Sequence, residues 1–190
     1  GVVEIPTNLN VSIQTNAAKT QYDDVTIENL RGNILIQNGI LKLSNGALGI
    51  IGATAKMEAV YKNEGTQKAY FDYKINASEF DIKRAYNEIK MFREIVTAAE
   101  SAEGIVGLNY SIKGVLNNQM EPVMPSLEGS GTLSVKKVKM KGFKLLNVVS
   151  SKTENPDIKD PDISKVDIKT TIKNNIVTIE RFKFKVAGFR

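Results

Sequence analysis

Apolar and polar residues alternate along most of this chain, and alternation with a period of two marks strands buried on one face. The pattern predicts a short strand at "LNVSIQ" (9–14), then "VTIENLRGNILIQ" (25–37) paired with "ILKLSNGALGIIGATAKMEAVY" (40–61). The second of that pair is expected to bend or bulge near Asn45-Gly46 and Gly52. In "KAYFDYKINA" (68–77), Phe71, Tyr73 and Ile75 share one face and Tyr70, Asp72, Lys74 and Asn76 the other, after a turn at Asn63-Glu64-Gly65. The period then changes. Ile82, Ala85, Tyr86, Ile89, Phe92, Val96 and Ala99 recur at three- and four-residue steps, which predicts one amphipathic helix over about 81–100. Ser78 and Asp81 are its expected capping pair, and Gly104 lies just past its end. Strands resume in "IVGLNYSIKGVL" (105–116), where Val106, Leu108, Tyr110 and Ile112 share a face. A polar loop, "GTLSVKKVKMKGFKLL", a stretch around 145–162 with room for a short helix, and a hairpin over 166–189 complete the chain.

Two hairpins repeat one phrase. "IQNGILKL" (36–43) and "IKNNIVTI" (172–179) lie 136 residues apart, each with two turn-forming residues between aliphatic runs. Asn38-Gly39 and Asn174-Asn175 suit turns that need positive φ at both central residues. The match extends over 34–52 and 170–188, pairing Leu48 with Phe184 and Gly52 with Gly188. The expected fold is therefore mainly β (α+β): one domain over 1–190, a large curved antiparallel sheet of consecutive hairpins forming a groove, with one amphipathic helix. One helix cannot cover both faces of such a sheet. Leu35, Leu41 and Ile51, in segments apolar on both sides, then require a second layer, a partner or a ligand.

Composition narrows the chemistry. The 190 residues include no cysteine and no histidine, which removes disulfides, thiolate chemistry, Ser-His-Asp catalysis and the usual zinc site. The formal charge of +5 is mild, and the lysines are spread through alternating strands rather than gathered with stacking aromatics, which argues against nucleic acid. Lys136, Lys137, Lys139 and Lys141 do cluster, but their alternation with Val135, Val138 and Met140 reads as the wet face of a strand. Asp157, Asp160, Asp162 and Asp167 are dense, yet they lack the glycine and closing glutamate of a calcium loop. "GSG" at 129–131 leads into a strand without a following Lys-Ser or Lys-Thr, so it cradles no phosphate. No catalytic residue, metal or cofactor is expected. No run of about 18 apolar residues is present for a membrane helix. Because the chain opens on Gly1 and ends within the strand-like "KVAGFR", it is read as a fragment of a longer protein.

The order of these segments resembles the C-terminal region of the AsmA family in its Bacteroidota form. The resemblance runs through "NLRGNILIQNGILKLSNGALGIIGATAKMEAVY", the "FDIKRAYNEI" approach to the helix and "GIVGLNYSIKGVLNN". It continues through "SLEGSGTLSVKKVKMKGFKLLN", with Leu127, Gly129, Gly131 and Gly142 at the family's glycine pattern, to "IKTTIKNNIVTIERFKFKVAG". Asn175 departs from the family's turn glycine, and neither the family's N-terminal membrane helix nor its continuation after Gly188 is present. The resemblance implies a periplasmic β-groove protein, anchored to the inner membrane through a missing N-terminal segment. Its partner would be phospholipid or another acyl-chain lipid, its role lipid transport and outer-membrane assembly. On that reading the groove candidates are Ile34, Ile36, Leu43, Leu48, Phe71, Tyr73, Ile75, Val106, Leu108, Tyr110, Ile112, Ile172, Ile179 and Phe184. The alternatives are a scaffold module acting through envelope protein partners, with the groove filled by its own helix, and a glycan hydrolase resting on paired carboxylates.

Overall fold

A computed structural model describes residues 1–22, 25–140 and 162–180. Among these residues nine strands form a single antiparallel sheet in which each strand pairs with its neighbours in sequence. They are β1 (Asn10–Tyr22), β2 (Val25–Gln37), β3 (Ile40–Ile50), β4 (Ala53–Glu64) and β5 (Lys68–Asp81), then β6 (Ala102–Leu116), β7 (Glu128–Met140), β8 (Asp162–Lys173) and β9 (Ile176–Ile179). Register shifts interrupt β2–β3, β3–β4, β5–β6 and β6–β7. Such bulges bend a strand and increase its twist, so the sheet curves.

The repeated phrase forms the same turn twice. Asn38 and Gly39 have φ of 53° and 73°, and Asn174 and Asn175 have 50° and 62°. Ile36 opposes Leu41 in the first hairpin, and Ile172 opposes Val177 in the second. The equivalence holds over 36–43 and 172–179; Phe184, Gly188, Lys141 and residues 145–161 of the stretch with room for a short helix lie outside the described residues.

Three differences from the sequence reading change the architecture. β1 extends to Tyr22 rather than Gln14, because the regular register with β2 carries "TNAAKTQY" along without any apolar alternation of its own. The segment 40–61 is two strands, not one bent strand: Ile51 and Gly52, with φ of 49° and 75°, reverse the chain between β3 and β4. A β-branched residue at positive φ carries no sequence signal for a turn.

The third difference is the helix, which is not continuous. α1 (Ile82–Glu88) and α2 (Lys90–Ile95) meet at Ile89, whose φ and ψ of −109° and 104° are extended, and a 3-10 turn follows over Thr97–Ser101. The Arg93 guanidinium donates to the Tyr86 and Asn87 carbonyls (3.1 and 3.0 Å), satisfying acceptors that the break releases. Asp81 caps α1 by accepting from the Arg84 N–H at 2.8 Å. Ser78 is no part of the cap; it lies in β5 and donates to the Thr54 carbonyl. The predicted apolar face is nonetheless the packed one. Ile82, Ala85 and Ala99 are buried, and Tyr86, Ile89, Phe92 and Val96 pack beside them against Leu48, Ala55, Ala77, Phe80, Val106 and Val135.

Candidate functional site

Residues directly opposite in an antiparallel sheet share a face, so the register sorts the strands into a dry and a wet side. One row crosses all nine strands: Ile13, Ile34, Leu43, Ala59, Tyr73, Ile112, Gly129, Ile172 and Val177. A second runs Val11, Ile36, Leu41, Tyr61, Phe71 and Gly114. A third runs Gly46, Met57, Ile75, Tyr110, Gly131, Thr170 and Ile179, and a fourth Leu48, Ala55, Ala77, Leu108, Leu133 and Ile168. None of these rows contains a charged residue. Lys42, Glu58, Asp72, Lys74, Lys113 and Lys169, at the intervening positions, are exposed on the other side. Thirteen of the fourteen groove candidates therefore lie on one face, Val106 joining it opposite Val135 beyond the bulge. Leu41 is on this face and half-buried, Ile51 is buried, and Leu35 is on the wet face, 37% exposed.

Nine strands at about 4.8 Å spacing make the long row roughly 38 Å from end to end. Its outer members stay in water: Ile13 is 44% exposed, Val177 52% and, in the next row, Ile179 56%. Over the middle strands two caps lie on the dry face. At one end of the strands the helical segment packs on Leu48, Ala77, Val106 and Val135. At the other end the N-terminal segment and the 117–127 loop bury Val2, Ile5 and Leu127 with Tyr61, Ala69, Phe71 and Leu116. The Tyr61 hydroxyl donates to the Val3 carbonyl at 2.7 Å, and the Ile5 N–H donates to Asn63 Oδ1 at 2.9 Å. Ile34 and Leu43 pack into neither cluster and are half-buried between them.

The glycines of this face make room for side chains rather than for turns. Added Cβ atoms at Gly129 and Gly131 would meet the Tyr110 ring at 3.0 and 2.5 Å, so the ring lies over β7. From there its hydroxyl reaches Thr170 Oγ1 on β8, at 2.9 Å. Burial pushes the phenol above its usual pKa, while the Thr170 bond pulls it down. Leu43 likewise lies over Gly32 and Gly46, and Leu127 over Gly114.

Two open depressions have volumes of about 440 and 470 Å³. In the first, Ile40, Val60, Tyr70 and Val115 stand among Lys62, Asp72, Lys113 and Glu128; the second lies beside Gln14, Asn16, Arg31 and Asn33. Neither depression has a polar group buried enough to specify a ligand. Among the described residues no cluster of acidic side chains could hold a metal ion, and no helix is long and apolar enough to cross a membrane.

No family model, curated protein or solved structure matches the chain.

The sequence reading gave the packed face of the helical cap and missed the cap at the other end of the strands. Val2 and Ile5 precede any periodic segment, and Met120, Met124 and Leu127 are scattered in a loop that reads as polar; their only signal is apolar character where a solvated loop needs none.

Proposed function

We propose that this chain binds acyl chains along its dry face, as a non-enzymatic lipid-carrying segment. The observation behind this is the uncharged row across nine strands, which remains exposed at both flanks. A chain that keeps Ile13, Val177 and Ile179 in water along one continuous apolar surface has a use for that surface. The row is longer than the acyl depth of one leaflet, about half of the ~30 Å hydrocarbon core of a bilayer. With the resemblance to the AsmA family, the reading extends to an envelope protein that supports phospholipid transport and outer-membrane assembly, working in the periplasm from an inner-membrane anchor. The caps over the middle strands favour a second reading, in which the groove is filled by its own segments and the sheet serves as a scaffold for protein partners.

Lipid loading separates the two. Leu43 lies over two glycines between the caps, whereas Lys42, its neighbour in β3, is on the wet face. Leu43→Asp puts a carboxylate on the dry floor, where an unpaired charge is costly; Lys42→Asp changes charge only at the surface. After expression in a Gram-negative host, phospholipid per protein is measured by mass spectrometry, with circular dichroism as the folding control. The expected result is loaded wild type, loaded Lys42→Asp and empty Leu43→Asp. Equal loading of both variants overturns the assignment of the face, and unloaded wild type favours the scaffold.

A further inference from the structure

The helical segment does more than cap one end of the strands. α1 starts where β5 ends, at Asp81, which opposes Ile105 of β6. Glu121 lies past the far end of β6, beyond Leu116. Leu116 lies eleven residue steps beyond Ile105 along β6, about 36 Å at 3.3 Å per step. Lys90 Nζ nevertheless reaches Glu121 Oε1 at 2.6 Å. The helical segment therefore folds back over the dry face, and the corner between α1 and α2 meets the loop from the opposite end. Both partners are set for the contact. The Glu121 carboxylate accepts from Asn117 Nδ2 at 3.2 Å, and its backbone N–H donates to Asn117 Oδ1 at 3.0 Å. Lys90 is the first residue of α2, after the break at Ile89, with Glu94 at 4.0 Å as its other carboxylate. Both side chains of the Lys90–Glu121 pair are about half exposed, at 53% and 42%.

We propose that the Lys90–Glu121 ion pair is a latch that closes a strap over the acyl-chain path and sets the rate at which lipid enters and leaves. The inference rests on the acyl-chain reading of the dry face. An exposed ion pair contributes little to stability, which suits a contact that has to break repeatedly. Apolar residues beneath the strap hold the closed form, and the latch fixes how often its corner lifts.

The test uses 11-(dansylamino)undecanoic acid as an acyl probe, with binding and exchange followed by stopped-flow fluorescence. Glu121→Gln is expected to raise association and dissociation rates together by about two- to fivefold, the range of an exposed pair, with Kd within twofold of wild type. The charge-exchanged K90E/E121K variant is expected to return both rates toward wild type. The chain has no cysteine, so K90C/E121C can be joined with a short bismaleimide, and the joined protein is expected to exchange probe at least tenfold more slowly than the unjoined one. Equal exchange in joined and unjoined protein overturns the latch while the acyl-chain reading stands, since probe still binds. A folded wild type that binds no probe overturns both.

Discussion

Tyr110 reaches across β7 because Gly129 and Gly131 leave nothing under its ring. A methyl group at Gly131 would meet the Asn109 carbonyl oxygen as well as the ring, and backbone cannot move aside as a flexible side chain can. Gly131→Ala is expected to cost about 1–3 kcal/mol, in the range of overpacked sites, read as a lower denaturation midpoint. Tyr110→Phe removes only the bond to Thr170, at about 0.5–1.5 kcal/mol. A larger loss from Tyr110→Phe than from Gly131→Ala would mean that the hydroxyl, not the fit of the ring, holds this site. Ile51 poses the opposite problem. Its positive φ favours glycine by roughly 1–2 kcal/mol, but its side chain is only 8% exposed and burial is worth about 1.5–3 kcal/mol before any cavity cost. Burial wins, so Ile51→Gly is expected to destabilise by about 1–2 kcal/mol. That competition also explains why the β3–β4 turn was illegible in sequence. The glycines at 129 and 131 were visible as a pattern, but their reason, a ring from the adjacent strand, exists only once β6 and β7 are paired.

At the level of elements, alternation placed the strands and their faces correctly where it was strict, as in β5 and β6. It failed where a partner strand imposed order on an unpatterned segment, as in the second half of β1. The helical period located the packed face of 82–99 but could not report the break at Ile89, since that residue continues the apolar series. Ile89 is half-buried at the corner of the strap, so Ile89→Ala is expected to cost about 1–3 kcal/mol, toward the low end of buried truncations, by urea denaturation. Glu121 gives the strap a pH dependence of definite sign. The bonds from Lys90 and then Asn117 hold its carboxyl below the usual carboxylate range. Its contribution is then fully present above the unfolded-state pKa and is lost as pH falls through the lower folded value. Probe exchange attributable to the latch should be flat from pH 7 to 5 and quicken only below about 4, under the reference carboxylate values. A rise already complete at pH 5 would place the responsible group elsewhere.

For the molecule as a whole, the β2–β3, β4–β5 and β8–β9 hairpins were legible from their turn residues, and so was the sorting of charge away from one face. The cap built from the N-terminal segment and the 117–127 loop was not, because it joins residues far apart in sequence through contacts that no periodicity records. This difference has a consequence for how the chain acquires its shape. Each strand finds its partner in the strand made just before it, so most loops closed during assembly are short, the helical segment between β5 and β6 and the 117–127 loop being longer, and the sheet can grow as the chain emerges during synthesis. The N-terminal segment is the exception. The Ile5 N–H awaits Asn63, 58 residues downstream, and the Val2 N–H awaits the Thr66 carbonyl at 3.0 Å. These residues, made before β1, thus settle only once β4 and the turn that follows it are in place. In pulse-labelled hydrogen exchange, the amides of Val2 and Ile5 should gain protection after those of β2 and β3, and until then Val2 and Ile5 remain open to whatever apolar surface the nascent chain meets.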